Sequence, residues 1–184
     1  LPTPAKTSHE ALVGLARRLV DEGGGEALTV SAVAQAAGVK APSLYKHFAD
    51  RAALLRAVEI SAMHDLEGAL RRGTVGSTAQ ERLTSMAQAY RAFALAQPHR
   101  YEMIYSRNAA GDPAIAAASR FAARPLFEEL QAAGVAAERI LPVARVMTAF
   151  LHGFVSMELV GAFRLGGDLE EAFAEGLRVV LRGV

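Results

Sequence analysis

The residues best suited to chemistry in this chain gather in one short stretch. Ala36–Phe48 reads AAGVKAPSLYKHF and sets Lys40, Ser43, Tyr45, Lys46 and His47 close together. Between Val39 and Val58, Lys40, Lys46, Arg51 and Arg56 stand against one acid, Asp50, so a chain of formal net charge +1 carries a local positive excess. Ammonium, guanidinium, phenol and hydroxyl groups at this spacing suit a partner rich in anionic acceptor oxygens, such as a phosphate backbone. The same residues would also serve as the solvated corner of a small helical domain.

Other chemistries are poorly served. The chain has no cysteine, which removes a thiol nucleophile, thiolate metal ligands and a disulfide scaffold. His9, His47, His64, His99 and His152 are scattered singly, with no His-x-Glu-x-x-His spacing and no phosphate loop. The acid pairs Glu128–Glu129 and Glu170–Glu171 are sequence neighbours, so on a helix each pair diverges toward solvent. An enzyme, a bound metal and a cofactor are therefore not expected.

The polar stretch needs a frame. At 184 residues and 52% hydrophobic the chain can bury a sizeable core. It reads as helices throughout, about nine, with no run of period-two alternation. Thr7 and Glu10 form a capping box ahead of Leu12, Leu15, Ala16 and Leu19, and Gly23–Gly25 end that helix. Thr29 caps a short second helix that stops at Gly38, and Pro42 suits the first turn of a third running to Phe48. Leu44 and Phe48, four apart, turn inward together, and Asp50 caps the next helix. Gly73–Thr78 is the natural boundary, giving 1–50 as one domain, 51–77 as connecting helix and hinge, and 78–184 as a second domain. Pro98 breaks a helix, Pro125 should kink another, and Asp168 with Glu171 caps the last. The opening LPTPAKTSHE lacks the apolar core of a secretory leader. Leu141–Phe163 is apolar but carries Arg145, His152 and Glu158, and reads as a buried helix rather than a membrane span.

Two short helices cannot persist alone in water, so the second and third must lean on their neighbours. Joined by the tight Gly38 turn, they make a helix-turn-helix pattern whose outer face carries Lys40, Ala41, Ser43 and Lys46. Such a helix fits a DNA major groove, about 12 Å wide. Arg51, in the first turn of the fourth helix, opposes the helix dipole, a poor place for a cation unless an anion approaches it. Lys40 is a weak N-cap, which costs about 1 kcal/mol, and Ala41 offers only apolar contact, leaving Ser43 and Lys40 as polar candidates for reading bases.

The stretch TVSAVAQAAGVKAPSLYKHFADRAALLRAV, Thr29–Val58, resembles the DNA-binding domain of the tetracycline-repressor (TetR) family of bacterial transcriptional regulators. The resemblance extends over about residues 8–58 and implies an all-α fold: an N-terminal helix-turn-helix domain followed by an antiparallel helical ligand-binding and dimerisation domain. It implies that Ala41, Pro42 and Ser43 approach base edges, that Tyr45, Lys46 and His47 face phosphates, that Arg51 matches a backbone-contacting lysine, and that Ser31 touches the operator. LHGFVSMELVGAF, from Leu151, is similar to a C-terminal subgroup marked by an aromatic- or leucine-His-Gly motif, here Leu151–Gly153.

For the second domain the resemblance implies a homodimer through the last two long helices, with Val143, Phe150, Phe154, Met157, Gly161, Phe173, Leu177 and Leu181 at the interface. The nearly all-round apolar surface of Val143–Phe163 agrees, and Gly153 and Gly161 would permit close helix approach. It implies an effector pocket too, for which Met86, Tyr90, Phe93, Met103, Tyr105, Phe121, Phe127, Met147 and His152 are the candidates, each of which also reads as ordinary core. Arg124 and Glu158 are candidate partners within the fold. The expected protein is a cytoplasmic regulator, usually a repressor in such a family, that binds palindromic double-stranded DNA and answers to a mostly apolar small molecule. The alternative is a structural or adaptor protein with a vestigial helix-turn-helix.

Overall fold

The computed structural model describes residues 8–106, 111–182 and 184. Among these residues there are helices and no strands: α1 (His9–Ala27), α2 (Val30–Ala37), α3 (Ala41–Leu44), α4 (Arg51–Gly73), α5 (Ala79–Ala96), α6 (Pro98–Ser106), α7 (Pro113–Ala132), α8 (Ala137–Leu159) and α9 (Leu169–Leu181). The chain divides into two compact units, one of Leu1–Asp65 with Gln97–Ser119 and one of Leu66–Ala96 with Arg120–Val184.

The first unit is organised by α1. Its N-cap is Ser8, one residue past the predicted Thr7, and the Ser8 hydroxyl accepts from the Ala11 N–H at 3.1 Å; Thr7 lies outside the described residues. Regular helix is interrupted at Gly23 and Gly24, where the backbone turns out of helical φ/ψ before one more turn to Ala27. Leu12, Ala16 and Val20 recur down one face and join Leu28, Val33, Leu44, Phe48, Leu54, Val58 and Met103 in a single core. Burying Leu44 and Phe48 contributes roughly 1.5–3 kcal/mol each, which anchors the otherwise unstable α3. Ion pairs fasten the rim: Arg100 reaches both Asp21 and Asp65, the latter at 3.0 Å, and Arg17 also pairs with Asp65.

The second unit packs α5 on α8 and α8 on α9. In the Gly73–Thr78 segment, expected as a hinge, several backbone groups are bonded to side chains of α5. Glu81 Oε2 accepts from the Ser77 and Thr78 N–H groups at 2.7 and 2.9 Å, and the Ser85 hydroxyl donates to the Val75 carbonyl at 2.7 Å. Those backbone bonds hold the Glu81 carboxyl below its ordinary pKa. α7 runs through Pro125 without ending. At Gly176 a Cβ would lie 2.4 Å from the Phe150 ring, so this glycine is what lets α9 close on α8. Gly153 has open space around it within the chain, and Gly161 ends α8 in the left-handed region, with the Ala162 N–H bonded back to the Met157 carbonyl at 2.8 Å.

α8 departs from expectation in burial. Only Ala144, Met147, Leu151 and Val155 are buried, and its most apolar window, 22% buried, is long and apolar enough by length and composition to cross a membrane. What faces outward is a stripe of Pro142, Val146, Ala149, Gly153, Met157 and Val160, spaced four, three, four, four and three apart. By contrast Phe173, Leu177 and Leu181 of α9, predicted at a dimer interface, are buried in the chain's own core. α9's amphipathic pattern could not say which partner its apolar face meets.

Candidate nucleic-acid interface

The helix-turn-helix is built from local chemistry. The Thr29 hydroxyl accepts from the Ala32 N–H at 3.0 Å and starts α2. At its other end Gly38 sits at φ 68°, where only glycine is free of Cβ strain, and the Gly38 and Val39 N–H groups close onto the Gln35 and Ala34 carbonyls at 3.0 Å each. The chain then reverses into α3. Helical pairing covers Ala41–Leu44 only; Tyr45–His47 form a turn in which the His47 and Phe48 N–H groups both meet the Leu44 carbonyl, at 2.8 and 2.9 Å. The predicted helix to Phe48 is therefore half that length, with Leu44 and Phe48 inward as expected. The His9 ring packs on Phe48 with centroids 4.8 Å apart.

This frame places Ser31, Lys40, Pro42, Tyr45 and Lys46 in solvent and leaves Ala41, Ser43 and His47 half-buried. Lys40 occupies the N-cap of α3 without a capping bond, as its side chain requires. The surface so formed offers two ammonium groups, a phenol and hydroxyls on a backbone fixed by a buried core. It can donate to phosphate and base acceptors together.

Arg51 differs. Its Nε donates to the Leu28 carbonyl at 2.8 Å and its guanidinium to the Gly25 carbonyl at 2.9 Å. Those carbonyls lie at the last turn of α1, where the helix dipole is negative, and the Gly25 carbonyl also accepts the Leu28 N–H at 3.3 Å. So the cation that looked misplaced at the start of α4 is bonded to the end of α1, and no outside anion is needed to explain it. Sequence reading missed this because the partners lie 23 and 26 residues away.

The effector-pocket candidates fall in both units. Met86, Tyr90, Phe93 and Met147 are buried on α5 and α8 of the second unit, where Phe127 is half-buried and Phe121 partly exposed. Met103 belongs instead to the core of the first unit, packed with α1 and α4 residues, and Tyr105, on the same helix, is partly exposed. His152 is half-buried with its Nδ1 3.4 Å from the Ser156 hydroxyl, and burial lowers its pKa below the ordinary 6.5. Arg124 pairs with Glu128 at 3.0 Å and lies over the Phe121 ring. Glu158 finds a partner that the sequence did not reveal. Arg91, 7% exposed, meets it through two bonds of 2.7 Å, reaches Glu170 at 2.7 Å, and lies 5.0 Å from the Phe173 ring centre. Its pKa is raised, chiefly by the Glu158 hydrogen bonds. Among the described residues no group of three histidine, cysteine, aspartate or glutamate side chains could hold a metal.

Comparison with known proteins decides the family. Residues 12–58 match the model for bacterial regulatory proteins of the tetR family, and residues 83–180 match that for the tetracyclin repressor-like C-terminal domain. The chain belongs to the TetR family. It is 36% identical over 159 residues, 86% of this chain and 73% of the relative, to a protein of Mycobacterium tuberculosis described as an uncharacterized HTH-type transcriptional regulator. A structure of a protein with unknown function from Rhodococcus sp. RHA1 aligns at TM-score 0.83 and 26% identity, covering 99% of this chain and 96% of that one. A variant of TetR from Acinetobacter baumannii AYE, solved in complex with minocycline, shares the fold at TM-score 0.68 and 20% identity, covering 96% of this chain and 95% of that one. The TetR helix-turn-helix match coincides with the surface built above, and the chain is a TetR-family transcriptional regulator.

Proposed function

We propose that the protein is a repressor that binds palindromic operator DNA as a homodimer in the cytoplasm and is released by a small, mostly apolar effector. The observation that carries the DNA reading is the exposed array of Ser31, Lys40, Tyr45 and Lys46, with Ser43 half-buried among them, on a head anchored by the buried Leu44 and Phe48. In this reading Ala41, Pro42 and Ser43 approach bases, Tyr45, Lys46 and His47 hold phosphates, and residues 1–50, 51–77 and 78–184 serve as reader, connector and effector and dimer domain.

The dimer reading rests on the exposed α8 stripe, in which Val146, Met157 and Val160 are 59%, 44% and 75% exposed and Ala149 and Gly153 between them are small enough for close packing. Two reading heads on a two-fold axis fit half-sites about 34–36 Å apart. Support for an effector comes from the Met and aromatic side chains of α5 and α8 and from the minocycline complex of a structural relative. An effector can release DNA only by binding more tightly to the state that DNA disfavours. Fluorescence anisotropy on DNA from upstream of the protein's own gene tests the first claim. Binding should be sequence-selective and weaken steeply with salt, and a Tyr45→Ala, Lys46→Ala double variant should bind every sequence more weakly. Equal binding by parent and double variant at matched salt would remove the proposed interface.

A further inference from the structure

We propose that Lys40 reads a guanine in each operator half-site, a reading that rests on the DNA-binding function above. Its ammonium is uncommitted: Lys40 makes no capping bond, is exposed, and enters none of the ion pairs among the described residues. The other cations near the head are placed differently. Arg51 is bonded to carbonyls of α1, Arg56 pairs with Asp112 at 3.1 Å, and Lys46 lies in the turn beyond α3, between Tyr45 and His47. Lys40 is thus the cation contiguous with Ala41, Pro42 and Ser43, whose short side chains let the backbone come close to base edges.

Donor chemistry then selects the base. An ammonium has three donors and no acceptor. In the major groove guanine presents two adjacent acceptors, N7 and O6, whereas adenine sets a donor beside its N7, cytosine presents a donor, and thymine a single acceptor beside a methyl. Guanine alone rewards two donations from one ammonium. Next to it, the exposed Pro42 ring suits the thymine C5 methyl, so the half-site should carry a guanine beside a thymine.

The experiment selects bound sequences from a randomised palindrome library with the parent, Lys40→Ala and Lys46→Ala proteins, then measures affinity on the winning site and on the same site with 7-deazaguanine. The parent should enrich one guanine per half-site and lose about tenfold in affinity to 7-deazaguanine there. Lys40→Ala should lose that base preference and be indifferent to 7-deazaguanine, while Lys46→Ala should weaken all sequences evenly. If the parent selects a site but Lys40→Ala keeps the same guanine preference, or loses affinity evenly on every sequence, Lys40 is a phosphate contact and the proposal fails alone. If the parent selects nothing, the DNA reading fails and this proposal with it. Because Lys40 is exposed and makes no cap bond, unchanged circular dichroism should accompany its replacement.

Discussion

Replacing Arg91 with methionine should be among the most damaging single changes in the second unit. Arg91 is 7% exposed, and its partner Glu158 keeps 13% of its side-chain surface, so the pair is largely withdrawn from water. Both ends of the guanidinium fork meet the carboxylate at 2.7 Å, while the contact to Glu170 reaches a carboxylate that is 79% exposed. Leaving the Glu158 charge without its arginine costs about 3–5 kcal/mol, the exposed Glu170 arm at most about 1, and the cation–π contact to Phe173 about 0.5–1. The first effect dominates. It also dictates the rescue: Arg91→Met with Glu158→Leu removes both charges and should recover at least about 2 kcal/mol of the loss, because a buried pair replaced by apolar groups is often neutral or better. Urea unfolding at one fixed protein concentration reads all four corners of the cycle. A loss under about 1 kcal/mol in Arg91→Met, or a double variant as unstable as the two single losses added, would refute the reasoning.

Four smaller predictions accompany it. Arg51→Ala should cost about 1 kcal/mol of stability, chiefly by taking the donor from the part-buried Leu28 carbonyl, since the Gly25 carbonyl keeps the Leu28 N–H, while the slope of DNA affinity against salt stays as in the parent; a slope reduced by about two, one per protomer, would make Arg51 a phosphate contact instead. Because burial holds His152 below its ordinary 6.5, the unfolded chain takes up that proton first, so stability should fall as pH drops below about 6.5. His152→Gln should flatten that fall in urea titrations at stepped pH, and an unchanged slope would count against the assignment. Val146→Glu with Met157→Lys should give a folded monomer in sedimentation equilibrium at low micromolar concentration, whereas a persisting dimer would move the interface off the α8 stripe. Thr29→Ala should cost about 1 kcal/mol by removing the α2 cap, read as a lower urea midpoint; an unchanged midpoint would mean that the hydroxyl does no capping.

Local signals in the sequence carried most of the fold. Thr29, Asp50 and Asp168 cap helices where their side chains imply, because a cap is decided within three residues, and Gly38 turns because glycine adopts its left-handed φ without Cβ strain. The three-helix head was legible for the same reason, since Leu44 and Phe48 are fixed by one short period. Features decided by distant partners were not legible. Arg51 was read through its own helix dipole, though its bonds run to carbonyls 23 and 26 residues earlier. Arg91 attracted no notice, because nothing near it in sequence announces Glu158, 67 residues on. Phe173, Leu177 and Leu181 make an apolar stripe that any amphipathic helix would show; the pattern gives a buried face but not whether it meets the same chain or another. Lys40 stood out from the start as a poor cap, and the structure leaves its side chain uncommitted.

Cleavage footprinting on operator DNA tests the central claim most directly. A two-fold pair of α2–α3 heads should protect two symmetry-related half-sites, centred one helical turn or a multiple of about 10–10.5 base pairs apart, with both protections lost together in the Tyr45→Ala, Lys46→Ala variant. A single unsymmetrical patch, or a footprint that survives that variant unchanged, would contradict the account.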